Sequence, residues 1–324
     1  MQIIQVWKQY VVTIRGSFFL KRWETMHEIF VPARITHLLT IESQEIRAVE
    51  LTVPEVYEIN GVSYSVRDAM WPGTAFLARP MGYRTRKLRR RMYTRSNCSM
   101  TAPYVLQTII NHTHEEKADT SIWWQTSEVE DWMRKGIPLD VRLEWDDAHT
   151  GLHIYENTKI CKPSNLRLEP DGEWEHMRIV AIGFSTGLTP FLSYVRYMAA
   201  HDFGKSTGEG VRFTLIVSVR HPGQLMFHEE LLEVERLFPQ HFRYHPVLTR
   251  VWPDDWKYST GRLFRVGATA SGEPVVDLGP LRQVVPDLQG VHLRFCGNKE
   301  ACHQLEMGLR QAGITPLSFR SEVW

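Results

Sequence analysis

Two short turns carry the residue types that a phosphate-bearing ligand needs. Gly183-Phe184-Ser185-Thr186-Gly187-Leu188-Thr189-Pro190 follows a strand-like apolar run, Met177 to Ile182, and precedes a helical run, Phe191 to His201. Small residues there let the backbone approach a pyrophosphate, threonine hydroxyls donate to it, and Pro190 suits a first helical turn. Cys296-Gly297-Asn298 repeats the arrangement between the strand-like Leu293 to Cys296 and a helical run from Lys299 to Ala312, closed by Gly313. Either turn alone also suits an ordinary strand-to-helix connection, and a cysteine at a strand end is more often packing than chemistry. Two such ends in one sheet point to a dinucleotide crevice.

Residues 84–91, RTRKLRRR, place six basic residues in eight and run directly into Met92-Tyr93-Thr94. The run reads as a solvated loop or as a patch for an acidic partner or a phosphate. Fourteen histidines include His112, His114, His221, His228 and His245. None stands at a metal-binding spacing, so they read as surface or satisfied interior residues. Cys98, Cys161, Cys296 and Cys302 form neither a disulfide framework nor a CxxC unit. This favours a reducing compartment, here the cytoplasm, and no metal or iron-sulfur cluster held by the chain itself.

The elements that must position these residues fall into two groups. From Ile35 to Arg79, short apolar runs (Ile35–Leu39, Ile46–Val53, Val62–Val66, Ala75–Ala78) are broken by Pro54, Gly61 and Pro72-Gly73. Strands at this spacing indicate an antiparallel sheet or barrel. Residues 104–160 add strands and one short helix from Ser127 to Lys135, stopped by Gly136-Ile137-Pro138. Leu166 to Trp174 is polar and marked by Pro and Gly, the best linker. Beyond it the period changes, with strands at Phe213–Val219 and Tyr244–Leu248 and a helix at Gln224–Leu237. Strands alternating with helices over this length imply a parallel, doubly wound sheet.

The division is therefore an extension over residues 1–30, a barrel over 31–168 and an α/β domain over 174–324. A chain of 324 residues, 43% hydrophobic and 23% charged, supports two cores of this size. Its 38 Lys plus Arg against 37 Asp plus Glu leave a net charge of +1, so no global field draws it to nucleic acid or lipid. Residues 1–23 carry no acid and four basic residues, Lys8, Arg15, Lys21 and Arg22, which interrupt every candidate membrane span. The segment reads as an extension packed on the body, with a basic membrane-surface or partner-binding segment as the alternative.

The order of motifs resembles the ferredoxin-NADP reductase family over residues 35–324. Arg91-Met92-Tyr93-Thr94 is similar to the family's Arg-x-Tyr-Ser flavin motif, and Ser185-Thr186-Gly187-Leu188-Thr189-Pro190 to its Gly-Thr-Gly-x-x-Pro nicotinamide loop. Val217-Ser218-Val219-Arg220 and Val247-Leu248-Thr249-Arg250 resemble the strand ends around the adenosine. Cys296-Gly297-Asn298 resembles its Cys-Gly-x motif, and Glu322-Val323-Trp324 a terminus in which an aromatic residue follows Glu-Val.

The resemblance implies an FAD-binding barrel followed by an NADP(H)-binding domain, and an enzyme that exchanges electrons between NADP(H) and a one-electron carrier such as ferredoxin or flavodoxin. It implies that Arg91 pairs with the flavin pyrophosphate, that Tyr93 lies against the isoalloxazine and that Thr94 offers a hydroxyl near its N5 edge. Ser127 falls where the family faces a helix N-terminus toward the flavin phosphates, or is an ordinary N-cap. Cys296 and Glu322 match residues beside the nicotinamide C4 and flavin N5, Glu322 relaying a proton through Thr94, and Trp324 is implied to stack on the flavin. Thr186, Gly187, Thr189, Pro190 and Gly297 would line the NADP site. Arg220, Thr249, Arg250 and Arg262, without an acid beside Arg250 until Asp254, imply NADPH rather than NADH.

The basic run 84–91 then becomes a docking face for an acidic carrier. Three positions depart from the pattern: Ser185 and Trp124 replace glycines, and Thr94 replaces serine. The alternatives are the reductase component of an oxygenase, a free flavin reductase, or an assembly subunit that kept the fold and lost the flavin.

Overall fold

The structure, a computed structural model, describes residues 29–40, 46–59, 61–67, 75–98, 102–111, 118–146, 151–154, 177–207 and 210–323. Residues 1–23, the linker 166–174, His112, His114, Cys161 and Trp324 lie outside the described residues.

The N-terminal half alternates inward apolar and outward polar side chains, as strands with one buried face must. In β1 (Ile29–Thr40) the inward residues Val31, Ala33 and Ile35 are buried while Pro32 and Arg34 are exposed. The strand is longer than Ile35–Leu39, because the alternation runs straight through the outward-facing Pro32. The chain continues through β2 (Ile46–Thr52), β3 (Val56–Ile59), β4 (Val62–Arg67), β5 (Ala75–Ala78), β6 (Arg91–Thr94) and β7 (Val105–Asn111). Helices α1 (Asp119–Trp123) and α2 (Ser127–Lys135) precede β8 (Pro138–Asp146) and β9 (Gly151–Ile154). Strands pair in the order β3-β4-β9-β8-β1-β2-β7, and β5 joins β8 to β6.

The Ser96 amide donates to the Gln107 carbonyl at 2.7 Å, bringing the end of β6 onto β7 and closing a ring of six strands, β8-β1-β2-β7-β6-β5. Every pairing is antiparallel except β4 with β9, which is parallel. Trp123 and Trp124 fill the barrel core together with Phe76, Leu51 and Leu106. Gly136, at φ 60°, ends α2 in the left-handed conformation that glycine adopts without penalty.

The C-terminal half is a six-stranded parallel sheet. It is built from β10 (Arg178–Phe184), α3 (Leu188–Ala200), β11 (Arg212–Val219), α4 (His228–Leu237), β12 (Phe242–Leu248) and β13 (Ser259–Thr260). Then follow a separate hairpin of β14 (Arg265–Ala268) and β15 (Pro274–Asp277), α5 (Gly279–Val284), β16 (His292–Gly297), α6 (Lys299–Gln311) and β17 (Ser318–Val323). The order β13-β12-β11-β10-β16-β17 reverses its winding between β10 and β16. Ligands bind such sheets in the crevice at that reversal, beyond the carboxyl ends of the strands.

Two corrections apply here. The expected helix from Gln224 starts only at His228, because Pro222–Gln224 form a 3-10 turn and Phe227 is left-handed at φ 58°. The hairpin and α5, which pack Val276, Leu278 and Leu281 into the second core of the sheet, were not foreseen.

Ile46, Ala48 and Ile109 of the barrel share one buried cluster with Leu188, Phe191 and Leu192 of α3. The domains thus meet through a continuous apolar contact, with the sheet crevice facing β6 and β7. Among the described residues no helix is long and apolar enough to cross a membrane.

Candidate functional site

The crevice is a cleft of about 150 Å³ between the domains. Its barrel wall is Met92, Tyr93 and Thr94 of β6 with Thr108 and Ile109 of β7, and its other wall is Thr186, Thr189 and Pro190 with Cys296 and Glu322.

On the sheet side, the turn after β10 forms as its sequence requires. Ser185 has φ 52°, a left-handed conformation that a glycine takes more easily, so the serine stores local strain. Ser185–Gly187 make one 3-10 turn into α3, whose first turn holds Pro190, and the Thr189 hydroxyl donates to the Thr186 carbonyl at 2.6 Å. Gly183 has no room for a side chain: a Cβ would stand 2.9 Å from the Leu188 nitrogen. The glycine lets the turn fold back onto the strand that carries it.

Cys296, the last residue but one of β16, is the register partner of Gly183 on β10 and of Glu322 on β17. Burial, reinforced by Glu322, pushes the Cys296 thiol well above its usual range, so it stays neutral. Burial alone lifts the Glu322 carboxyl to about 7. Its Oε2 is buried with no hydrogen-bond partner among the described residues. An unpaired buried acceptor is costly unless a ligand donor meets it, so this oxygen fits a ring system with an N–H edge.

On the barrel side, the Tyr93 hydroxyl accepts from Trp124 Nε1 at 2.9 Å, and burial lifts the phenol to about 12. The Trp124 ring meets Tyr93 edge-on at 6.1 Å. Trp124, which stands where the family pattern has a glycine, is 1% exposed, a core residue that holds Tyr93 in place.

Arg91, exposed at the start of β6, donates from Nε to the Thr120 hydroxyl on α1 at 3.2 Å. Ser127 is exposed at the start of α2, where Thr126 and not Ser127 is the N-cap residue. The helix beside Arg91 is therefore α1, and Thr120 is the residue sequence reasoning missed, along with Met92, Thr108 and Ile109. The strand spacing of β7 shows it to be a strand but not which wall it faces.

Arg220 and Arg250 lie just beyond the ends of the neighbouring strands β11 and β12, and the Arg250 amide donates to the Arg220 carbonyl at 3.0 Å. These two side chains and that of Arg262 are exposed, with no ion-pair partner among the described residues. Thr249 is corrected in role: its hydroxyl donates to the Val219 carbonyl at 3.0 Å, so its proton is already used within the fold. Gly297 packs closely, since a Cβ there would meet the Phe184 Cβ at 2.9 Å. Among the described residues no group of three or more His, Cys, Asp or Glu could hold a metal ion.

The basic run is only partly free. The Arg84 amide and the Thr85 hydroxyl donate to the two oxygens of Asp119 (2.6 and 2.7 Å), and Arg86 forms a forked pair with Glu128 (2.7 and 2.9 Å). Lys87 and Arg89 remain exposed, beside the exposed apolar residues Leu88 and Met92.

Residues 181–300 match the model of the oxidoreductase NAD-binding domain. No curated protein sequence matches the chain. Solved structures share its fold. The cytochrome P450 reductase GcoB of Amycolatopsis superposes with a TM-score of 0.58 at 17% identity, covering 92% of this chain and 71% of that one. A flavohemoglobin from Malassezia yamatoensis, with bound FAD and heme, gives 0.60 at 15% identity, covering 94% of this chain and 63% of its own. The ferredoxin-NADP+ reductase of Plasmodium falciparum with 2'P-AMP gives 0.53 at 13% identity, covering 91% and 96%.

Proposed function

From the premise that the chain has the two-domain fold of the ferredoxin-NADP reductase family and carries an oxidoreductase NAD-binding domain, we propose that it is an FAD-dependent reductase. It takes hydride from NADPH and delivers single electrons to a separate acidic carrier such as ferredoxin or flavodoxin. Bound FAD supplies the step between two-electron and one-electron chemistry.

The observation that carries this reading is the cleft itself. Cys296 and Glu322 stand at the switch point of the sheet, and across it lie the Tyr93 and Thr94 walls of the barrel. Arg91, oriented by its bond to the Thr120 hydroxyl, would hold the flavin pyrophosphate through its permanently charged guanidinium. Tyr93 would lie against the ring, fixed by Trp124. The buried Glu322 carboxyl, with the Thr94 hydroxyl, would hold a proton near the ring edge, and the neutral Cys296 would pack against the nicotinamide while excluding water. Trp324, next after Val323, is proposed to cover the flavin face.

Arg220, Arg250 and Arg262 offer three free guanidinium groups to a 2'-phosphate, which supports NADPH over NADH. Lys87 and Arg89, beside the flavin motif, offer the acidic carrier its docking charge.

Purified protein reconstituted with FAD is expected to show flavin absorbance that bleaches anaerobically on adding NADPH. Reoxidation by ferredoxin, flavodoxin and free flavin then compares the acceptors. Failure to retain FAD would leave an assembly or binding role on the same fold. Reoxidation by free flavin alone would exclude the carrier.

A further inference from the structure

Arg196, on α3 and outside the residues assigned to hydride transfer, spans the junction between the domains with its side chain 15% exposed. Its Nε and Nη2 donate to the two oxygens of Glu230 on α4, at 2.6 and 2.7 Å. Its Nη1 reaches into the barrel, donating to the Ser96 carbonyl at 3.0 Å and the Gln107 side-chain oxygen at 2.6 Å. The guanidinium also lies 4.7 Å over the ring of Phe227. Gln107 is held in turn: its oxygen accepts from the Ser96 hydroxyl at 2.8 Å, and its nitrogen donates to Glu50 at 2.7 Å.

The places that this fork joins matter more than the number of bonds. Ser96 follows Thr94 by two residues, just beyond β6, and Gln107 immediately precedes Thr108 on β7, so both are tied to the strands that form the barrel wall of the cleft. Arg196 lies on the helix whose first turn, Thr189 and Pro190, forms the opposite wall. Apolar contact among Ile46, Ala48, Ile109 and Leu188 holds the domains together, but such contact is non-directional and permits sliding. A planar guanidinium with donors fixed in a fork is directional, and Glu230 balances its charge.

We infer that Arg196 is a positioning residue: with Gln107 it sets the separation and angle of the two cleft walls, and thereby the distance over which hydride moves. The inference rests on the hydride-transfer reading above. A displacement of about 1 Å between reacting atoms can cost as much as about a hundredfold in rate.

The test uses FAD-loaded full-length protein carrying Arg196→Lys, Arg196→Met or Gln107→Leu. Gln107→Leu removes the shorter of the two barrel contacts and leaves the Ser96 carbonyl and the Arg196–Glu230 pair, so it remains informative if Arg196→Met fails to fold. The rate of flavin reduction at saturating NADPH is expected to fall about tenfold or more, while KM for NADPH and FAD affinity stay within about twofold. In the flavin-free protein, amide hydrogen exchange at residues 94–97 and 105–109 is expected to quicken.

Wild-type reduction rates in Gln107→Leu and Arg196→Lys would overturn the inference while leaving the proposed function intact. A wild-type protein that binds FAD but takes no hydride from NADPH would remove the proposed function instead. The clamp would then stand or fall on the exchange measurement, with unchanged exchange in Gln107→Leu overturning it.

Discussion

Cys296 and Glu322 are direct register partners on the parallel strands β16 and β17, a neutral buried thiol beside a carboxyl with one unpartnered oxygen. The pairing places two groups from the last strands of the sheet at its switch point, opposite the strand that carries Tyr93 and Thr94.

Glu322 should make stability depend on pH. Burial lifts its carboxyl from 4.5 to about 7, so between those values the folded protein keeps a proton that the unfolded chain has lost. Stability attributable to this group is full below pH 4.5 and is lost as pH rises through about 7. Glu322→Gln, neutral throughout, is expected to flatten that slope in denaturant titrations on either side of the window. The variant should also lose any limb near pH 7 in the rate of NADPH-driven flavin reduction. An identical slope in the variant would assign the effect to another group.

Arg91 should affect flavin affinity and not folding. It is exposed and, among the described residues, bonded only to Thr120 and its own neighbour's carbonyl. Arg91→Ala is expected to weaken FAD binding about tenfold or more, about 1.4 kcal/mol, by calorimetric titration, with an unchanged melting temperature. Unaltered FAD affinity would place the pyrophosphate elsewhere.

Nucleotide choice should follow Arg250 and Arg262. Replacing either with Glu is expected to lower kcat/KM for NADPH about 10- to 100-fold, while NADH changes little. Thr249→Ala should have a small effect, because that hydroxyl already donates to the Val219 carbonyl. Equal losses with both nucleotides would mean that these arginines hold some shared part of the dinucleotide.

Gly183 should not tolerate a methyl group. The atoms that a Cβ would meet belong to the Leu188 and Gly187 backbone, which cannot rotate away. Gly183→Ala is expected to cost about 1–3 kcal/mol in denaturant unfolding. A neutral outcome would show that the turn after β10 can shift.

Carrier docking should discriminate within the basic run. Lys87→Glu and Arg89→Glu are expected to raise KM for an acidic carrier and to reduce the salt dependence of its reduction. Arg86→Ala should do neither, since Glu128 already pairs with that guanidinium. A carrier rate that is flat with salt in the wild-type protein would remove the run from docking.

Most of the fold was legible because it rests on local periodicity. Alternation marked the barrel strands, the change of period near residue 177 marked the parallel sheet, and the glycine turns marked its strand ends. Reading stopped where a residue's role depends on a distant partner. Trp124 showed only as a departure from a glycine, but its partner is Tyr93, 31 residues earlier. Thr249 looked like a phosphate donor, but its proton goes to Val219 on the neighbouring strand. Ser127 had the residue type for a helix start, yet α1, one helix earlier, is the one that meets Arg91.

The sequence by itself determined two domains, their order, the turns that end β10 and β16, and a basic run beside the flavin-type motif, because each is written in residue types at short spacing. Only the tertiary structure decided which of those residues share a cleft, which charges in the run are already paired and which side chains join the domains. The physical reason is that pairing register and packing bring together residues far apart in the chain. Arg196 and Gln107 meet across 89 positions, and no local spacing reports that contact.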